Sequence, residues 1–342
     1  MKDLKGRKIV LLGGAGFIGH HLALALAERG ARVEIVDSLL VNNLLWFTSS
    51  SAEPQSRELY TKMINQRLEL LRKAGIPLHV QDLRDYQVLT RMMVQLKPQV
   101  IVHLAAVAHA GKSNKDPYTT FDHSLRTLEN ALDCARDLVE QFIFLSSSMV
   151  YGDFMREKVD EEHPLNPIGI YGALKVGGEK LVIAYQQVFN VPYTIIRPSA
   201  LYGPRCVSGR VGQVFIESAM NGSKLRVYGD GGERLDFTYV DDLVEGICLA
   251  IENPAAVNQI FNMTYGKART VGELVKITQE YFPRVEVESV ERDPLLPHRG
   301  TLSIEKAARL LGFHPKNPIE AGFPKYIEWY KEFSPKTKED TA

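Results

Sequence analysis

Apolar positions along the chain come in short, unbroken runs. Those at 7–12 (RKIVLL), 31–37 (ARVEIVD), 77–83 (PLHVQDL), 99–106 (QVIVHLAA), 141–148 (QFIFLSSS) and 192–199 (PYTIIRPS) are rich in Val, Ile and Leu and have strand length. Helically spaced stretches separate them, the first being HHLALALAERG, which closes on Gly30. This alternation predicts an α/β fold: a doubly wound parallel sheet of Rossmann type with helices on both faces. From about residue 199 the rhythm loosens into Gly- and Pro-rich loops, as expected of a smaller lobe beside the carboxyl ends of the strands. The expected division is a Rossmann domain over 1–198 plus about 236–264, a second lobe over about 199–235 plus 265–335, and a tail at 336–342.

Composition narrows the choice of partner. Lys plus Arg balance Asp plus Glu at 41 each, so no net basic field exists to attract nucleic acid or anionic lipid. No run of about 18 apolar residues occurs, and a membrane span is not expected. The basic, then apolar, amino terminus imitates a signal peptide, but its glycines point elsewhere. Cys134, Cys206 and Cys248 are odd in number and far apart, which fits neither a disulfide framework nor a zinc site and suits a reducing cytoplasm.

Between the first strand and the first helix, GGAGFIG places Gly13, Gly16 and Gly19 at three-residue intervals. Glycine lets backbone approach a pyrophosphate, and the helix N-terminus supplies amide donors and partial positive charge. Asp37 ends the second strand about 20 residues on, where a carboxylate accepts from a ribose 2′-hydroxyl and repels a 2′-phosphate, favouring NAD over NADP. Asp82 and Leu83, ending the third strand, are candidates for the adenine edge. The segment 39–75 is unusual: LLVNNLLWFTSSS is apolar, and the helical stretch after it puts Leu59, Met63 and Leu70 near one face with Gly75 as its stop. It reads as an inserted helix packed on its own domain, or as a subunit contact or lid beside the cofactor.

Tyr171 and Lys175, four residues apart in IYGALKVGGE, share a helical face. A phenol is a poor base at neutral pH, but a nearby ammonium and an oxidised nicotinamide favour the phenolate, which can then remove an alcohol proton.

Taken in order, GGAGFIG, HLAA, SSSMVYG, YGALK, RPSALYGPR and DFTYVDDLVEG resemble the extended short-chain dehydrogenase/reductase superfamily, in particular its NAD-dependent nucleotide-sugar epimerases and dehydratases of the UDP-glucose 4-epimerase kind. The resemblance covers roughly residues 7 to 330. It implies a tightly held NAD contacted also by Phe17, Ile18, Leu104, Ala105, Ala106, Tyr171 and Lys175, a homodimer formed through parts of 115–136 and 171–189, and a Ser/Thr, Tyr, Lys triad. The family's hydroxyl lies four positions before the tyrosine of VYG, which is Ser147 here. Ser147 would bond the reacting sugar hydroxyl, Tyr171 would be the base, and Lys175 would hold the nicotinamide ribose. Ser146 and Ser148 have an alternative use in satisfying backbone groups at a strand end, although Ser148 also stands where substrate could reach it.

Family members that expel water from a nucleotide hexose place an Asp-Glu pair after the catalytic hydroxyl, and the related decarboxylases have Glu at the second position. Ser148 and Met149 occupy those places here, which leaves 4-epimerisation through a transient 4-keto sugar as the expected activity. A dehydratase or net oxidoreductase with unusual acid/base groups is the alternative, and a non-catalytic dinucleotide sensor is disfavoured by the intact triad. Two family substrate positions are changed, to Ala200 and Leu235, and Ser124 replaces a frequent Asn. Arg234 is adjacent to the changed position at Leu235 and Arg299 fits a late arginine that the family uses on the substrate diphosphate, so a rebuilt anion site is expected there. Arg205 and Arg210 are further anion candidates or solvated loop charges, and Val227 flanks the nucleobase or belongs to the core. His109 and Ser113 lie in the loop that the family closes over nicotinamide and sugar, and Cys206 reads as a spectator.

Overall fold

A computed structural model describes residues 3–48 and 54–334. The tail expected at 336–342 and residues 49–53 of the inserted segment lie outside the described residues. Seven segments pair into one all-parallel sheet: β1 (Lys8–Leu12), β2 (Arg32–Asp37), β3 (Leu78–Val80), β4 (Val100–His103), β5 (Gln141–Leu145), β6 (Tyr193–Arg197) and β7 (Gln259–Asn262). Their order is β7-β6-β5-β4-β1-β2-β3. The chain winds from β1 outward to β3, then crosses back to β4, so the sheet has a topological switch point between β1 and β4, where α/β sheets bind ligands. Every residue of β4, β5 and β6 is buried, which is why these runs are mostly apolar, with His103, Gln141, Thr194 and Arg197 as buried polar exceptions: helices cover both faces.

Four strands stop earlier than the sequence suggests, β4 at His103 and β6 at Arg197 among them. β3 is an edge strand with a partner on one side only; it ends at Val80, which is exposed, and Asp82 and Leu83 follow in the turn before the next helix. β5 ends at Leu145, and the serines leave the sheet: Ser147 is extended and caps a short 3₁₀ turn over Ser148–Val150.

Helix α1 (Phe17–Glu28) follows the glycine turn, and the inserted segment forms α2 (Pro54–Lys73). The buried stripe of α2 is Met63, Arg67 and Leu71, flanked by Ile64, whereas Leu59 and Leu70 are only partly covered. Phe47, Met63, Ile64 and Leu71 join the main hydrophobic cluster, and the inserted helix also reaches the expected second lobe, where Tyr60 donates to Glu217 at 2.7 Å and Arg67 donates to the Arg205 carbonyl. Beyond β6, short strand pairs build the region beside the sheet: Leu225–Tyr228 runs parallel to Val287–Val290, and Arg234–Leu235 runs antiparallel to Arg269–Thr270. Among the described residues no helix is long and apolar enough to cross a membrane.

Candidate active site

The cavity at the switch point is built first from glycine. Gly13 has φ +80°, and a β-carbon there would lie 2.7 Å from the backbone nitrogen of Ala105. Gly16 is the N-cap of α1 and offers no side-chain cap, so the first-turn N–H groups are left for a ligand. Asp37 closes the second side. Its two oxygens accept from the Ala15 and Leu39 amides (3.0 and 2.8 Å), and burial raises its pKa while those amides oppose the rise. These features suit a dinucleotide: an open cradle of amides for pyrophosphate and a carboxylate for ribose. Gly13, Gly16, Phe17, Ile18, Gly19, Asp37, Asp82, Leu83, Leu104, Ala105 and Ala106 all line this one cavity. Asp82 is also engaged by Arg84, which reaches across to Asp122.

The carboxyl ends of β5 and β6 and helix α3 (Gly169–Phe189) assemble the reactive groups. Lys175 is buried, donates to the Leu145 carbonyl at 2.5 Å and sits 6.0 Å from the Tyr171 ring centroid. Burial lowers its pKa to about 8, partly offset by Glu179 one turn on. Burial raises the Tyr171 phenol, while the charge of Arg210 and a hydrogen bond from Ser147 pull the other way. Ser147 thus meets Tyr171 and also accepts from the Met149 amide at 3.2 Å.

Ser146 has a different partner. Its hydroxyl donates to Glu179 at 2.5 Å, and Glu179 holds Arg197 through two bonds of 2.9 and 2.7 Å. Arg197 donates to the Tyr151 hydroxyl, which donates to Asn262 on β7. This buried network ties β5, α3, β6 and β7 together, and it accounts for the first serine of the triplet.

The remaining candidates separate. Arg210 lines the cofactor cavity, and its Nε is buried with no partner among the described residues. Arg205 does not line it: it has φ +63°, and its guanidinium turns onto α1, donating to His20 Nε2 at 2.9 Å and lying 3.4 Å from His21 Nε2. Val227 is buried in the core, because alternate residues of its strand face inward. Arg234 and Arg299 share a second, more open depression with Arg156 and His298. There Arg299 pairs with Glu233 at 3.2 Å and approaches the Met149 sulfur at 3.8 Å. His109 caps a short helix, Ala110–Lys115, its Nδ1 accepting from the Lys112 amide, which leaves Nε2 to carry the proton of the neutral ring. Ser148 is buried, and its amide donates to Pro198. Ser113 bonds back to the His109 carbonyl as a buried helix serine does, Ser124 accepts from the Val107 amide, and Cys206 is buried.

Several lining residues carry no signal in the sequence. Ser38 directly follows β2, Val41, Asn42 and Arg67 come from the insertion, Ser208 from the loop before Arg210, and His123 from a π-helical turn, Asp122–Arg126. Such turns widen a helix locally and concentrate at functional sites, but no residue type marks them. Asn42 also accepts from Lys112, whose ammonium lies over Trp46, so the insertion and the loop after β4 meet across the cavity.

A dinucleotide cradle joined to a Ser, Tyr, Lys cluster defines an NAD-dependent enzyme class acting on alcohols. The sequence pattern of the NAD dependent epimerase/dehydratase family matches residues 9–264, and the chain belongs to that family. UDP-glucuronic acid decarboxylase 2 of Arabidopsis thaliana is 30% identical over 336 residues, covering 96% of this chain and 69% of that one. The UDP-glucose 4-epimerase of Thermus thermophilus, solved with NAD, is 26% identical with TM-score 0.80 and covers 94% of this chain and 98% of its own. The UDP-glucuronic acid 4-epimerase of Bacillus cereus, solved with UDP-glucuronic acid and NAD, has TM-score 0.84 over 95% of this chain and 99% of its own; at 24% identity it shows the shared fold alone.

Proposed function

We propose that the protein is an NAD-dependent 4-epimerase of a nucleotide sugar. The observation that carries this reading is Met149. A buried thioether stands where loss of water or of carbon dioxide would use an acid, and its neighbour is Arg299. Ser147, Tyr171 and Lys175 suffice for a reversible alcohol oxidation. Bound NAD supplies the acceptor and donor of hydride. Tyr171 removes the C4 hydroxyl proton and returns it, Ser147 orients that oxygen, and the buried ammonium of Lys175 favours the phenolate. The keto sugar turns between the two transfers, so the hold on the substrate lies at its diphosphate, with Arg234 and Arg299. Arg210 favours a uronic acid over a neutral hexose, because a buried guanidinium nitrogen without a partner beside Tyr171 suits a sugar carboxylate.

The reading includes a cytoplasmic homodimer. Its three thiols are free and buried, and Tyr118, Phe121 and Val188 are exposed on the helices expected to meet. The test is incubation with a panel of nucleotide hexoses and uronates, with products examined by NMR. Inversion at C4 without net change in nicotinamide absorbance is expected; stoichiometric reduction of NAD, or a product lacking water or a carboxylate, would overturn the proposal. Tyr171→Phe should keep NAD and lose about 10²–10⁴-fold in turnover, the usual range for a general base. Near-normal turnover in that variant would remove Tyr171 from its role.

A further inference from the structure

We propose that Arg67, on the helix inserted between β2 and β3, is the cation that neutralises the pyrophosphate of the bound dinucleotide. Arg67 is fully buried in the middle of α2, in the stripe that otherwise holds Met63 and Leu71. Arginine is almost never buried this deeply unless an anion accompanies it. Here the inventory is short. Nε donates to the Arg205 carbonyl at 3.0 Å, Nη2 donates to the same oxygen, and Nη1 has no partner among the described residues. A carbonyl satisfies two donors but neutralises no charge.

Asp37 is the acid whose charge reaches Arg67, yet its two oxygens hold the Ala15 and Leu39 amides. Burial and the charge of Arg205 bring the Arg67 pKa down to about 10, so the fold holds a cation that still awaits its counterion. The position says which. Arg67 lines the cavity together with Gly13, Gly16 and Asp37. The glycine loop supplies dipoles but no full charge, whereas a pyrophosphate brings two. Among the described lining residues Arg210 is the other permanent cation, and its charge is felt at Tyr171 and His109, on the sugar side. The inserted helix therefore brings a counter-charge that the phosphate loop lacks. This inference rests on NAD binding and is independent of which sugar reaction follows.

The test compares wild type, Arg67→Met and Arg67→Lys as full-length, cofactor-free proteins, titrated calorimetrically with NAD, ADP-ribose and adenosine. Arg67→Met should bind NAD and ADP-ribose at least tenfold more weakly and adenosine unchanged, and its unfolding temperature without cofactor should equal or exceed that of wild type, since a lone buried charge has gone. Arg67→Lys should recover most of the dinucleotide affinity. Unchanged NAD affinity in Arg67→Met would overturn the proposal. So would equal losses for NAD and adenosine with a lowered unfolding temperature, which mark a purely structural tie between α2 and the Arg205 loop. If Arg67→Met does not fold, the Lys variant decides: a phosphate-independent loss of affinity refutes the assignment.

Discussion

Gly13 and Gly6 hold nearly the same backbone conformation, φ +80° and +73°, in opposite surroundings. A β-carbon on Gly6 would meet nothing within 4 Å, whereas one on Gly13 would lie 2.7 Å from Ala105 N and 2.8 Å from Ala105 Cα. Alanine at either site carries the same left-handed cost, roughly 1–2 kcal/mol. Only Gly13→Ala adds an overlap with backbone, which must retreat by about 0.7 Å to restore an ordinary 3.4 Å contact. Overpacking of this kind costs roughly 1–3 kcal/mol. The expected destabilisation is therefore about 2–5 kcal/mol for Gly13→Ala against about 1–2 for Gly6→Ala. The retreat also moves the Ala105 wall of the cavity. If binding must restore it, 1–3 kcal/mol corresponds to a roughly 5- to 150-fold loss of NAD affinity, with Gly6→Ala unaffected. Equilibrium urea unfolding of the cofactor-free proteins measures the first difference, and calorimetric NAD titration the second. Equal stability losses in the two variants, with NAD bound normally by both, would refute the close approach of Gly13 to Ala105.

Lys175 has a pKa held down to about 8 against an ordinary 10.5, so the unfolded chain binds more protons between those values and stability rises with pH across that window. Lys175→Met should remove a rise of up to about 3 kcal/mol, and parallel pH dependences of urea unfolding in variant and wild type would contradict the burial argument. Glu179→Gln leaves the Arg197 charge buried without its carboxylate and should cost about 3–5 kcal/mol by the same unfolding assay, most of it regained when Arg197→Met is added; an additive double variant would show that the pair is not coupled. Asp37 should hold NADP at least tenfold more weakly than NAD, and equal calorimetric affinities would end its assignment to the ribose.

Much of this was legible in the sequence for a physical reason. Strands buried on both faces are mostly apolar, so β1, β4, β5 and β6 announce themselves, and a glycine turn that must admit a pyrophosphate tolerates few alternatives. The cofactor cradle follows from those local rules, as does the pairing of Tyr171 with Lys175 on one helix. What the sequence concealed depends on contacts distant along the chain. Arg67 sits in a buried stripe that apolar periodicity cannot register, because its environment is set by the Arg205 carbonyl, 138 residues away. Ser146 looks equivalent to Ser147 until Glu179, 33 residues on, takes its hydroxyl. Arg205 reads as a loop charge near substrate, yet two histidines of α1 claim it.

The buried network of Ser146, Glu179, Arg197, Tyr151 and Asn262 separates two tasks that many enzymes entangle. Tyr171 and Lys175 ride on the helix that Glu179 anchors, and that anchor is a buried ion pair with Arg197 at the end of β6. The groups assigned to the substrate diphosphate, Arg234 and Arg299, line a depression outside it. Neither arginine bonds to any member of that network, so replacing either one leaves the helix that carries Tyr171 and Lys175 anchored.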